Sequence, residues 1–306
     1  MSNTDEITIM KFILLTLICV IIYIYIVNNT SQNSRKNILV LICSDYKPEN
    51  IKDNNLPKHN IKYIINNNYI QKCNNLLNEI NNYYYDYDGF IIIDRNETIN
   101  YTCNMLSFFI ENIKKPIILD IKNLRKNLEI INNCNINEVM VRSKDKLLRA
   151  SRTIKFKNHL VSPNFKSLNN NNKLKDNNEK MIIRYIKEDI KINLIKIYPN
   201  MDTNKLKYLQ EEKKLDVVII ENYDNGYINN NFLKILENIT KKGVIVINIS
   251  QNNSRISNIN EDYILDGKDI STEACIAKCY FLLSSVKDKK TIRKIFNNSF
   301  RGEISN

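Results

Sequence analysis

Two apolar patterns divide the chain. The first is a single block near the N-terminus. Phe12 to Val27 reads FILLTLICVIIYIYIV, where Thr16 is the lone residue neither apolar nor aromatic, and Ile7, Ile9 and Met10 extend the block beyond Lys11. A block of that length can cross a thin bilayer as one helix. The second pattern begins at Asn37, where short apolar runs alternate with stretches of helical period. The runs are Ile38 to Cys43, Gly89 to Ile93, Pro116 to Ile121 and Glu138 to Arg142, then Asn193 to Tyr198, Asp216 to Glu221 and Val244 to Ile249. Runs this short, rich in Ile and Val and separated by helix-length segments, predict buried parallel strands with crossover helices. From Ser167 to Glu179 the chain reads SLNNNNKLKDNNE, with no apolar periodicity, which marks a linker. The expected organisation is a tail over 1–8, a membrane anchor over 9–28, a linker over 29–36, a larger α/β domain over 37–166, a second linker over 167–190 and a smaller α/β domain over 191–306.

The flanks of the first block decide what kind of membrane segment it is. A cleaved signal peptide starts basic and ends in small residues, whereas Asp5 and Glu6 precede this block and Val27-Asn28-Asn29 ends it. An uncleaved anchor is expected. Arg35 and Lys36 follow it while the N-terminal flank is nearly neutral, so the charge bias predicts a single-pass membrane protein with its body in the cytosol. Eight Asn-x-Ser/Thr triplets would argue for the opposite, lumenal side. A chain this rich in Asn yields about five by chance, and Asn248 falls in a run read as a buried strand.

Composition adds mostly exclusions. Apolar residues make up 43% and charged residues 25% of 306, so most of the chain should fold. The excess of Asn and Ile resembles an AT-rich coding bias and carries little functional information. Five glycines argue against a glycine-rich loop that cradles phosphate. The net charge of +12 is spread along the chain without a nucleic-acid-binding motif, so no nucleic-acid partner is expected. Seven scattered cysteines, with no CxxC pair and two histidines, His59 and His159, give no metal-ligand spacing, and no metal or cofactor is expected. Cys275 and Cys279, one helical turn apart, read as small buried residues on one helix face.

Several segments, in one order, resemble the L-asparaginases, above all the type I cytosolic enzymes and the asparaginase domain of lysophospholipase-like proteins. Tyr87-Asp88-Gly89-Phe90-Ile91-Ile92-Ile93, then Thr98 and Leu106 to Leu119, is similar to the family's YDGFVVxHGTDT strand with the helix and strand that follow. Asn135 to Val139 resembles PINEV, Leu148 to Lys155 resembles LFRGNRTTK, and Ser162-Pro163-Asn164 matches SPN. Ile197-Tyr198-Pro199, the Gln251 segment, Asp269 to Lys278 and Arg301-Gly302-Glu303 are similar to YPG, TQC, DMTPEAALxK and LRGEM. The resemblance covers about residues 37–306. It implies a two-domain fold, a large parallel-sheet domain followed by a smaller α/β domain, homodimerisation, and hydrolysis of L-asparagine, or of glutamine in some members, to the acid and ammonia through an acyl-enzyme on threonine.

That chemistry requires a small hydroxyl nucleophile, a base and donors for the oxyanion. By resemblance, the nucleophile stands in a TGGT hinge after the first strand, and the Thr-Asp of HGTDT joins a distant Lys in a second relay. Here the hinge aligns with Cys43-Ser44-Asp45-Tyr46, placing the bulkier phenol of Tyr46 at the nucleophile position. Ser44 and Cys43 are able nucleophiles set two and three positions away. Asp45 replaces a glycine where a substrate α-carboxylate would bind, and like charge opposes that binding. HGTDT becomes Asp94-Arg95-Asn96-Glu97-Thr98. The amide of Asn96 cannot relay a proton as a hydroxyl does. Glu97 keeps the carboxylate but shifts it by about an ångström, enough to cost about 100-fold in rate. Thr98 matches the motif's last threonine, a substrate-side position.

Lys155 is retained and reads either as the relay amine or as a structural lysine. Glu273 matches a carboxylate that the family can present to a neighbouring subunit's site, and it reads equally as a first-turn helix residue. Three functions stay open from the residues. One is a membrane-anchored, catalytically degenerate asparaginase-like module that binds or scaffolds. Another is an active amidohydrolase using Ser44 or Cys43 with Lys155 and Glu97 on a small amide. The third is a basic body that binds an anionic partner such as a lipid surface or RNA.

Overall fold

The computed structural model describes residues 16–22, 35–48, 54–169, 171–175, 178–212, 214–223, 228, 230–253 and 261–305. The chain forms two compact units, Met1–Lys36 and Asn37–Asn306. In the first, residues 16–22 are helical and exposed, Leu17, Val20 and Ile21 among them. The rest of the expected anchor over 9–28 lies outside the described residues. No described helix is long and apolar enough to cross a membrane.

In the second unit the apolar runs become strands. Six of them form a sheet in the order β2-β1-β3-β5-β6-β7. These are β1 (Asn37–Ile42), β2 (Lys58–Tyr63), β3 (Gly89–Ile93), β5 (Ile117–Asp120), β6 (Val139–Ser143) and β7 (Lys146–Arg149). All neighbouring pairs are parallel except β6 with β7. Alternation along the strands separates the two faces. Leu39, Leu41, Phe90, Ile92 and Leu119 pack under α1 (Tyr69–Tyr83) and α2 (Ile99–Phe109), while Val40, Ile91, Ile93 and Ile118 pack on α3 (Leu124–Asn132). Asn68 caps α1, its side chain accepting from the Gln71 N–H at 3.1 Å.

The remaining elements of this half are short. β4 (Ile110–Glu111) pairs antiparallel with β10 (Ile182–Ile183), and β8 (Ile154–Phe156) with β9 (His159–Val161).

A second, four-stranded parallel sheet follows in chain order, β11 (Ile192–Lys196), β12 (Val217–Asn222), β13 (Ile245–Ser250) and β14 (Ile264–Asp266). The helix α4 (Asn230–Lys241) covers one face and α5 (Thr272–Ser285) the other, with α6 (Lys289–Ile295) after it. Helices α2 and α5 pack together, so one apolar cluster runs from the first sheet to the second, with Phe281 against Phe108, Phe109 and Phe300.

Strand order positions the site. The chain leaves β1 toward β2 on one side and returns to β3 on the other, so the crossover direction reverses between β1 and β3. In parallel sheets ligands bind beyond the carboxyl ends of the strands at that reversal. Cys43 and Asp94 stand there.

Candidate active site

Each central strand of the first sheet ends in a polar residue at this edge. Cys43 follows β1, Asp94 follows β3 and Asp120 ends β5. Backbone bonds tie the three ends, the Cys43 N–H donating to the Ile93 carbonyl at 2.8 Å and the Asp94 N–H to the Asp120 carbonyl at 2.9 Å. Two carboxylates side by side under an apolar core would be costly unless compensated. Each meets a buried cation. Lys72, from the first turn of α1, donates to Asp94 Oδ1 at 2.8 Å and Oδ2 at 3.0 Å, and to the hydroxyls of Thr98 and Thr102, both at 3.1 Å. Thr98 in turn donates to Asp94 Oδ2 at 3.2 Å. On the other side Arg142 Nε donates to Asp120 Oδ2 at 2.9 Å and to Asn127 Oδ1 at 2.8 Å, while Asn127 Nδ2 donates to Asp120 Oδ2 at 2.8 Å. Asp94 is wholly buried and Lys72, Asp120 and Arg142 nearly so.

These two ion pairs rearrange the expected chemistry. The Thr98 hydroxyl, expected on the substrate side, is committed to Lys72 and Asp94. The Cys43 thiol is buried, and burial first, then the Asp94 carboxylate, pushes its pKa up to about 12. It stays a thiol at neutral pH, which removes the thiolate that nucleophilic attack needs. The Ser44 hydroxyl accepts from the Tyr46 N–H at 3.3 Å, and neither it nor Cys43 hydrogen-bonds Lys155. Tyr46 is half-buried against the α3 face, with its hydroxyl 3.5 Å from the Leu124 N–H that it accepts. Asp45 is exposed.

Lys155 reaches the second motif, as the resemblance implies, but contacts its backbone. Its amine donates to the Asn96 carbonyl at 3.0 Å. Glu97 is exposed and forms no ion pair with Lys155, so no hydroxyl-amine-carboxylate relay is assembled from Asn96, Glu97 and Lys155. Glu273 lies in the first turn of α5, behind the N-cap Ser271, and accepts from Asn100 Nδ2 of α2 at 2.8 Å within the same chain. Burial raises its pKa, against the opposing donation from Asn100. Sequence reasoning missed Lys72, Asp120 and Arg142. The available signal was an aspartate closing each of two wholly apolar strands, a position that calls for a buried cation.

The segments that carry the resemblance do different work. Arg149 pairs with Glu138 at 2.9 Å, Arg152 with Asp269 at 2.8 Å and Lys278 with Glu303 at 2.7 Å. Arg301 donates to the Ser107 carbonyl at 2.9 Å, and Gln251 Nε2 to the carbonyls of Ile197 and Glu221 at 2.7 and 3.1 Å. They fasten strand ends and join the two lobes.

Comparison with known proteins agrees with this architecture. The model of the N-terminal asparaginase domain matches residues 60–184, and that of the glutaminase/asparaginase C-terminal domain matches residues 191–296. L-asparaginase 1 of Escherichia coli K12 is 28% identical over 262 residues, covering 74% of this chain and 78% of the relative. The 60 kDa lysophospholipase of Mus musculus is 24% identical over 267 residues, and the match spans 46% of that longer protein. Among solved structures, L-asparaginase I from Vibrio cholerae superposes with a TM-score of 0.79 at 22% identity, over 89% of this chain and 100% of the other. The thermostable L-asparaginase from Thermococcus kodakarensis gives 0.73 at 18% identity, over 88% and 99%. The chain belongs to the asparaginase family, with its two-domain α/β fold and parallel N-terminal sheet.

Proposed function

We propose that this protein is a membrane-anchored member of the family whose amidase site is degenerate, and that it acts as a binding or structural module, as a homodimer. The observation that carries the reading is the pairing of Lys72 with Asp94 and Thr98 at the reversal between β1 and β3. The groups that could serve proton transfer there are spent on each other. The retained Lys155 donates to a backbone carbonyl, and a phenol stands where the family has its short alcohol. The alternative, attack by Cys43, is opposed by the burial that keeps the thiol protonated.

The apolar block from Phe12 to Val27 supports anchoring. A cytosolic body is supported by Arg35 and Lys36, which follow the block while its N-terminal flank is nearly neutral.

Ammonia release from asparagine and glutamine by the full chain tests the reading, alongside the variant Tyr46→Thr/Asn96→Thr/Glu97→Asp. The wild type should release none above background. Turnover at about 1 s⁻¹ or faster by the unmodified chain would overturn it. Sedimentation of the same preparation checks the dimer.

A further inference from the structure

A hollow of about 680 Å³ opens between the β6–β7 hairpin, the β8–β9 hairpin and the loop that follows β9. It shares no lining residue with the strand-end site. Its walls are fastened without a ligand. Ser143 Oγ donates to the Leu160 carbonyl at 2.7 Å, tying one hairpin to the other, and the Leu168 N–H donates to the Leu147 carbonyl at 2.8 Å, tying the loop to β7. A cavity held this way is largely formed before anything enters it.

The lining has two characters. Leu148, Leu160 and Phe165 give an apolar floor, and the Phe165 ring is backed by the Arg149 guanidinium, 4.5 Å from its centroid. Lys144, Lys146, Lys166 and His159 stand around the opening. The one carboxylate in the lining, Asp145, is already paired with Lys126.

We infer that this hollow binds an amphipathic anion, its carboxylate, sulfonate or phosphate head among Lys144, Lys146 and Lys166, its apolar body on Leu148, Leu160 and Phe165. Residues 37–306 serve for the test, since they form a compact unit and correspond to the whole of the solved Vibrio relative. The probe is 8-anilinonaphthalene-1-sulfonate, followed by fluorescence and calorimetry, with its uncharged parent N-phenyl-1-naphthylamine as control. One sulfonate probe should bind per chain, about 10-fold or more tighter than the uncharged parent. Lys144→Gln/Lys146→Gln/Lys166→Gln, at exposed positions that leave the core untouched, should weaken the sulfonate about 10-fold while moving the parent less than about two-fold. Displacement by oleate identifies a lipid-derived anion, and displacement by 2-naphthoate a soluble aromatic acid. Displacement by neither, affinity indifferent to the lysines, or several equivalent probe sites would overturn the inference.

Discussion

At the scale of the residue, the buried ion pairs at the carboxyl edge make the fold fragile. A buried charge deprived of its partner costs far more than the pair contributes. Lys72→Met should therefore destabilise the body by about 3–5 kcal/mol, because the buried Asp94 carboxyl loses its only cation among the described residues and Thr98 and Thr102 lose a donor. The double variant Lys72→Met/Asp94→Leu should recover most of that loss, and denaturant unfolding of the two variants measures the difference. If the single variant is as stable as the wild type, the pair does not hold this edge together. Lys72 and Asp94 are 22 positions apart in sequence, as are Asp120 and Arg142, so neither partnership was legible in local pattern. The expectation that Tyr46, Asn96 and Glu97 stand at family positions came from motif spacing alone. The commitment of Thr98 to Lys72 was not legible there, because it depends on where α1 begins in space.

At the scale of the element, short apolar runs proved sufficient to mark strands. β1, β3, β5, β6, β11, β12 and β13 all lie where such runs fall. Strand β2 was invisible. Its sequence, KHNIKY, is polar and half exposed because it sits at the sheet edge and pairs on one side with β1. β11 is also an edge strand, but its INLIK keeps three apolar residues where β2 keeps polar ones, so edge position permits a polar strand without requiring one. The short hairpins also failed to register.

Gly89 shows what element packing adds. It opens β3, and a Cβ there would lie 2.8 Å from Ile131 Cδ1 of α3 and 3.1 Å from the Pro116 carbonyl beside it. Gly89→Ala should cost about 1–3 kcal/mol by forcing α3 away from the sheet. Ile131→Val in the same background should return part of that cost in thermal melts, and no recovery would place the strain on the Pro116 backbone.

At the scale of the whole molecule, the two lobes are held by a shared apolar cluster and by buried ion pairs that reach across the chain. Lys278 is fully buried, and Glu303 from the C-terminal segment satisfies it. Burial alone would raise the Glu303 pKa. The Lys278 charge and hydrogen bonds, with the Arg301 N–H, outweigh it and hold the carboxyl below its ordinary value. A depressed carboxyl stabilises the fold above its unfolded pKa of about 4.3 and loses that contribution as the pH falls through the folded value. Stability should fall as the pH drops below about 4.3, and Glu303→Gln should flatten that part of the curve while being less stable than the wild type at pH 7. Denaturant midpoints from pH 3 to pH 7 measure both effects.

The amino-acid sequence alone determined the class of fold, the order and period of its buried elements, and its family. Those properties are written in neighbouring residues, where burial on both faces of a strand leaves an unbroken apolar run and a motif keeps its spacing. Tertiary structure alone decided what the substituted edge became. Lys72 meeting Asp94, Arg142 meeting Asp120, Lys155 meeting a carbonyl, and a cationic hollow between two hairpins all depend on the crossing of elements distant in the chain. Buried charge is compensated through space, whatever the separation in sequence.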